Sequence, residues 1–183
     1  MKINTTIIEG VYLIEPKVFK DDRGIFFESF NKEIFQKNID NNINFVQDNQ
    51  SSSSKGVLRG LHFQKPPYAQ TKLVRCLKGE ILDIALDLRK KSTTYGQFET
   101  NFLSDKNKYE LFIPKGFAHG FIVLSETATI SYKVDNYYAP KYESGVLWND
   151  KDLNIDWNIK SEDIIISDKD KNLLPLKKIN SPF

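Results

Sequence analysis

The chain has only two imidazoles, each in a glycine-flanked apolar segment: His62 in RGLHFQ, residues 59–64, and His119 in PKGFAHGF, residues 114–121. Imidazole titrates near pH 6.5, so a histidine whose second nitrogen is held by a carboxylate can abstract a proton at neutral pH. A hydrogen bond within a strand wall is the alternative use of such a residue. Lys72 opens the following apolar segment and can set an ammonium beside a developing oxyanion. Tyr132 has apolar neighbours and a reference pKa near 10, so it stays protonated and can act as a donor. An acid, a base and a cation thus converge on neighbouring strands. Only four of the 26 basic residues are arginine: Arg23, Arg59, Arg75 and Arg89. The planar fork of Arg59, three residues before His62, and that of Arg23 in the FKDDRG turn suit diphosphate oxygens better than a point charge does. For Arg23, pairing with Asp21, Asp22 or Glu28 is the alternative.

The elements that must position these groups read as strands. Aromatics make up 13% of the chain, and the apolar stretches are short and bounded by turn residues. The pattern predicts strands over 11–19, 24–30, 45–51, 57–64, 71–78, 80–88, 95–103, 109–113, 118–124 and 128–134, spaced as in a sandwich or barrel. It predicts a helix over 31–39 with Asn31 as its cap. Residues 51–56, SSSSKG, read as a polar loop. A helical turn starts at Ser167, three residues before Asp170, and Trp148 and Trp157 pin the tail onto the barrel. Alternation puts Tyr132 on one face with Ile130 and Val134. In an unbroken strand Arg59 and His62 face opposite ways, so a shared site requires a bulge at Gly60 or a strand beginning there. Leu82, Ile84, Leu86 and Leu88 fill one face of their strand, which leaves Asp83 on the other in need of a partner. His119 is the partner expected for it.

Composition narrows the function classes. At 183 residues, the chain is expected to form one domain over 1–183 with a full core. A single cysteine, Cys76, excludes an internal disulfide framework and a cysteine-rich zinc site, and fits a reducing, cytoplasmic compartment. With 26 basic and 24 acidic residues spread along the chain, there is no electrostatic case for nucleic-acid binding. No apolar run approaches the ~20 residues of a membrane span, and MKINTTIIEG has no signal-peptide core. Neither GxGxxG, a P-loop nor GxSxG occurs, so nicotinamide binding, Walker-type nucleotide binding and the serine-hydrolase elbow lack support.

The segment 114–119 matches the P-x-G-x-x-H element of cupin barrels. Metal-binding cupins supply H-x-H in their first element, where this chain reads His62, Phe63, Gln64. With two histidines, the usual three-histidine centre cannot be assembled, and no metal is expected. Consecutive blocks extend the likeness over nearly the whole chain: EPKVFKDDRGIFFESFN, FVQDNQS, GVLRGLHFQ, QTKLVRCLKGEILDIALDLRK, STTYGQF, IPKGFAHGFIVLSE, YKVDNYYAP, LWND and SDKD. In order and spacing they resemble the dTDP-4-dehydrorhamnose 3,5-epimerases.

That resemblance implies a mainly β, cupin-type double-stranded β-helix, or jelly roll, with short peripheral helices. It also implies inversion of C3 and C5 of dTDP-4-keto-6-deoxyglucose without a cofactor. His62 would be the general base, Asp170 its orienting carboxylate, Tyr132 the proton donor on the opposite sugar face, and Lys72 the enolate stabiliser. Arg59, His119 and Lys169 match positions that contact diphosphate or sugar. Arg23, Glu28, Gln47, Asp48, Asn49 and Glu143 match positions for the nucleotide end. The resemblance further implies a homodimer whose N-terminal strands cross over, so that Arg23, Phe26 and Glu28 complete the neighbour's site. The rival readings are a single-carbon epimerase, a 3,4-ketoisomerase, a silent sugar-nucleotide binding module and a metal-dependent cupin dioxygenase.

Overall fold

The computed structural model describes residues 1–183. A six-stranded antiparallel sheet holds β1 (Lys2–Thr5), β2 (Tyr12–Glu15), β10 (Glu110–Ile113), β7 (Lys72–Lys78), β12 (Thr127–Val134) and β5 (Gln47–Ser54), in that spatial order. A five-stranded sheet runs β13 (Glu143–Gly145), β6 (Leu58–Gln64), β11 (Phe117–Val123), β8 (Glu80–Asp87) and β9 (Phe98–Ser104). A separate hairpin pairs β3 (Val18–Asp21) with β4 (Gly24–Phe27). Two short helices complete the fold, α1 (Lys32–Asn38) and α2 (Asp168–Lys171). The two large sheets face each other as a cupin-type jelly roll.

Alternation along the strands explains how three apolar clusters coexist. On β8, Ile81 and Ala85 enter the cluster between the sheets with Val74, Ile130 and Val123. Leu82, Ile84 and Leu86 point outward into a second cluster, which the tail closes with Trp157, Trp148 and Ile159. The indole N–H of Trp157 donates to the Trp148 carbonyl at 3.0 Å, so both tryptophans hold the tail as expected. Helix α1, capped by the Asn31 side chain on the Ile34 N–H, buries Phe35 against Ile14, Leu73 and Phe112 on the outer face of the six-stranded sheet.

Strands β1 and β13 lie where the sequence reading placed none, and two expected elements change in kind. The strand expected over 11–19 breaks at Pro16, which lacks the N–H a continuous ladder needs, and its second half becomes β3 of the hairpin. Residues 51–54 are not a loop. They continue β5 and pair with β12 from Ile130↔Ser51 to Thr127↔Ser54, and the turn is confined to Lys55 and Gly56. Serine has little strand preference of its own, and the ladder offered by β12 outweighs it.

Candidate functional site

Gly60 is the hinge on which the site depends. Strand β6 pairs with β11 at His62↔His119 and again at Arg59↔Phe121, so three residues on one strand span two on the other. This bulge turns Arg59 and His62 to the same side, which an unbroken strand would forbid. Gly60 adopts φ of +135°, and a Cβ there would lie 2.5 Å from Gly120 Cα. Only a glycine meets both demands.

His62 points into the barrel, and its Nε2 lies 2.7 Å from Asp170 Oδ1. The carboxylate comes from the C-terminal tail. Ser167 caps α2 by accepting from the Asp170 N–H at 3.2 Å, and this cap turns the Asp170 side chain inward. Its second oxygen accepts from the Gly60 N–H at 3.3 Å. Burial pushes the Asp170 carboxyl up, but the His62 contact and the Gly60 N–H outweigh it and hold the group below the usual carboxylate range. A carboxylate on Nε2 places the ring proton there and leaves Nδ1 as the basic lone pair.

Lys72 is half-buried beside His62, and its Nζ donates to the His62 carbonyl at 3.5 Å. Burial lowers its pKa to about 8, while Asp83 and Glu143 act in the opposite direction. Behind it, His119 Nε2 and Asp83 Oδ2 are 2.9 Å apart, the pairing expected from strand parity. Burial holds the His119 pKa below its ordinary value. On the facing sheet, burial raises the Tyr132 pKa, with Arg59 pulling it down. A phenol so placed is fully protonated at neutral pH.

These side chains border two adjoining cavities of about 500 and 300 Å³, and His62, Lys72 and Tyr132 line both. The larger adds Arg59, His119, Lys169 and Asp170, and the smaller adds Gln47, Asn49 and Glu143. Between them, Glu143 Oε2 accepts from Lys169 Nζ at 2.6 Å and from the Tyr138 hydroxyl at 2.7 Å. Gln64 stands where the metal cupins keep a ligand. Its side chain instead ties the β6–β7 connection to the segment after β12, donating to the Tyr68 and Tyr137 carbonyls and accepting from the Ala139 N–H. No three His, Cys, Asp or Glu side chains are grouped to hold a metal ion.

Four residues expected near the site lie elsewhere in this chain. Asp48 alternates away from Gln47 and Asn49 onto the outer face, where Lys133 Nζ reaches both its oxygens at 2.9 and 3.1 Å. Arg23, Phe26 and Glu28 belong to the hairpin and the segment after it, and none lines either cavity. Arg23 closes its turn on Asp21, Glu28 accepts from Asn31 Nδ2 at 3.1 Å, and Phe26 is 72% exposed. Conversely, Ser51, Tyr138, Ile165 and Ile166 line the cavities without having been singled out. Alternation along QDNQSSSS was the available signal for Ser51. The irregular tail offered none for the isoleucines.

Comparison with known proteins adds names to this geometry. A family model described as dTDP-4-dehydrorhamnose 3,5-epimerase matches residues 5–178. A dTDP-4-dehydrorhamnose 3,5-epimerase of Shigella flexneri is 51% identical over 172 residues, covering 94% of each chain. The crystal structure of an Elizabethkingia anophelis enzyme of the same name superposes with a TM-score of 0.95 at 50% identity, over 98% of both chains. A Legionella pneumophila dTDP-6-deoxy-D-glucose-3,5-epimerase, solved in complex with dTDP-4-keto-L-rhamnose, gives 0.94 at 44% identity over 98% of this chain and 94% of that one.

Proposed function

Because the chain belongs to the dTDP-4-dehydrorhamnose 3,5-epimerase family, it is a sugar-nucleotide epimerase, and we propose that His62, Tyr132, Lys72 and Asp170 carry its reaction. The substrate is dTDP-4-keto-6-deoxyglucose, whose C4 ketone acidifies the hydrogens on C3 and C5. His62 Nδ1 takes the C3 proton, and the electron pair moves into the carbonyl to give an enolate. The Lys72 ammonium faces the enolate oxygen, and Tyr132 returns a proton to C3 from the opposite face. His62 then passes its proton to solvent and Tyr132 regains one from it, and the same cycle at C5 completes the inversion. The ketone supplies all the activation these steps need, so no cofactor takes part. Arg59, His119 and Lys169 bind the diphosphate and sugar, while Gln47, Asn49 and Glu143 receive the nucleotide end.

The observation that carries this reading is a carboxylate-held imidazole, at 2.7 Å from Asp170, sharing a cavity with a half-buried phenol and a half-buried ammonium. Turnover in deuterium oxide followed by product NMR tests it. Label at both C3 and C5 is expected; label at C3 alone would make the chain a single-carbon epimerase.

The hairpin completes the proposal. Val18, Phe19, Ile25 and Phe26 are all more than 40% exposed, while Arg23 and Glu28 stand away from their own chain's cavities. We infer a homodimer in which each hairpin crosses to the partner's cavity and brings Arg23, Phe26 and Glu28 to the nucleotide. Mixing His62→Ala chains with Arg23→Ala chains restores one complete site per mixed dimer, so activity above either parent supports the exchange and none refutes it. The structure has no helix long and apolar enough to cross a membrane, and the single buried thiol of Cys76 suits the reducing cytoplasm we assign it.

A further inference from the structure

The carboxylate that holds His62 hangs on a suspended piece of the tail. At one end Ile165 is fixed to the start of β6, its N–H donating to the Gly56 carbonyl and its carbonyl accepting from the Leu58 N–H, both at 2.9 Å. At the other end the Leu174 carbonyl accepts from the Leu147 N–H, just beyond β13, at 2.9 Å. Between these anchors residues 166–173 make the single helical turn of α2. Some of its contacts tie it only to itself: Lys171 Nζ lies 2.9 Å from Asp168 Oδ1, and Asn172 Nδ2 donates to the Asp168 carbonyl at 2.6 Å. A four-residue helix has no stability of its own. Lys169 joins α2 to the barrel through Glu143, and Asp170, only 4% exposed, joins it through His62 and the Gly60 N–H.

Ser167 sets the orientation of that turn. Its Oγ accepts from the Asp170 N–H at 3.2 Å, so the residue whose backbone is capped is the one that carries the carboxylate. The backbone angles fixed by the cap decide where the Asp170 side chain leaves the turn. From there Oδ1 lies 2.7 Å from His62 Nε2 and Oδ2 accepts from the Gly60 N–H at 3.3 Å. We propose that Ser167 is a positioning residue for proton transfer: its cap holds Asp170 at the angle from which it orients the His62 imidazole. The kinetic consequence rests on the epimerase reading given above, whereas the effect on His62 rests on geometry alone. Alanine at position 167 removes the acceptor but leaves the anchors at Ile165 and Leu174, so the tail stays attached while the turn loses its setting. A displacement of about 1 Å at such a group can cost about 10²-fold in rate. Threonine keeps a hydroxyl at the capping position.

Steady-state kinetics and proton NMR together test the assignment. Ser167→Ala is expected to lower kcat on the keto substrate by about tenfold with KM within about twofold of the wild type, because the cap acts on the base and not on the bound sugar nucleotide. Ser167→Thr should return kcat to within about twofold of the wild type. In the resting enzyme the His62 Nε2–H, shielded by Asp170, should give a downfield proton resonance, assigned by its absence from His62→Ala. That resonance should persist in Ser167→Thr and broaden or vanish in Ser167→Ala. The His119 Nε2–H beside Asp83 is the internal standard, since it survives in any variant whose barrel is folded. Lys171→Ala, which removes the ion pair with Asp168 from the same turn, keeps both kcat and the His62 resonance. Wild-type kcat in Ser167→Ala, a loss confined to KM, a reduced kcat with an unchanged His62 resonance, no recovery in Ser167→Thr, or a wild type without that resonance would overturn the proposal. A wild type that shows the resonance and loses it in Ser167→Ala, yet does not turn over the keto sugar, would refute the epimerase reading and leave the hold of Ser167 on His62 standing.

Discussion

Strands β5, β7, β10 and β12 carry ionisable groups on both faces, and each face buries one whose pKa lies at about 8. On the inner face burial brings Lys72 down to that value, and on the outer face burial raises Glu110 to it. The cause is the same, since removal from water disfavours whichever form is charged. The surroundings differ. Lys72 opens onto both cavities beside His62 and Tyr132, with Asp83 and Glu143 favouring its charge. Glu110 sits in an outer pocket of about 170 Å³ with Asp48, Lys133 and Arg75, yet neither of its oxygens has a hydrogen bond and Arg75 Nη1 stays 3.7 Å away. The inner face therefore spends stability on a group to which the proposed reaction gives a role. The outer face holds a similarly strained group to which it gives none.

If that division is right, the largest effects on rate come from the inner face. His62→Ala should lower kcat by about 10³ to 10⁴, within the range that positioned acid/base groups contribute. The diphosphate should still bind, and exchange of the C3 hydrogen with solvent deuterium should cease. Residual exchange at the wild-type rate would assign the base elsewhere.

Lys72→Met comes next and separates rate from stability on one residue. Loss of the oxyanion cation should cost about 10² to 10³ in kcat. The fold should become more stable at neutral pH, because the folded Lys72 pKa is depressed. The stability it contributes is fully present only above its unfolded value near 10.5 and has been lost once pH falls below about 8. In the wild type, activity should decline above about pH 8 as the ammonium loses its proton. A melting temperature that falls in Lys72→Met would break the contrast.

The outer face makes the opposite prediction. A raised folded pKa at Glu110 means that its stability contribution is present below its unfolded value near 4.5 and lost as pH rises through about 8. Wild-type unfolding free energy should therefore fall by on the order of 3 to 4 kcal/mol between pH 5 and pH 8 from this group alone. Glu110→Gln should flatten that slope and leave kcat and KM unchanged. Urea titrations across this range measure it, and a change in KM without a change in slope would place Glu110 in the site.

How much of this was visible before folding depends on whether a residue's role is local or borrowed from a distant strand. The parity of β8 was enough to turn Asp83 inward toward His119, and the Arg59/His62 conflict correctly located a bulge at Gly60. What Gly60 avoids was not visible, because the clash is with Gly120 on another strand. The serine run looked like a loop since its strand character comes from β12, 77 positions away at the Ser52–Thr129 contact. Asp170 was locally readable only as a capping position. The structure shows the cap and the contact with His62 to be one arrangement, as the Ser167 hydroxyl fixes the turn that aims the carboxylate.

Asp48 gives the smallest expected effect and the sharpest test of the boundary between the faces. Motif matching grouped it with Gln47 and Asn49, but a strand's two-residue period places it opposite them. There its carboxylate is 64% exposed and pairs with Lys133, itself 31% exposed. A pair so open to solvent is worth less than about 1 kcal/mol. Asp48→Ala should therefore change the melting temperature slightly and KM for the dTDP-sugar not at all, whereas Asn49→Ala, one residue along, should raise KM several-fold. The backbone of residue 48 is shared by both faces through its ladder with Lys133, so any nucleotide contact at this position would run through the main chain, which alanine preserves. A several-fold rise in KM for Asp48→Ala would mean that the outer face also reaches ligand, and the separation of chemistry from mere charge burial across this sheet would have to be given up.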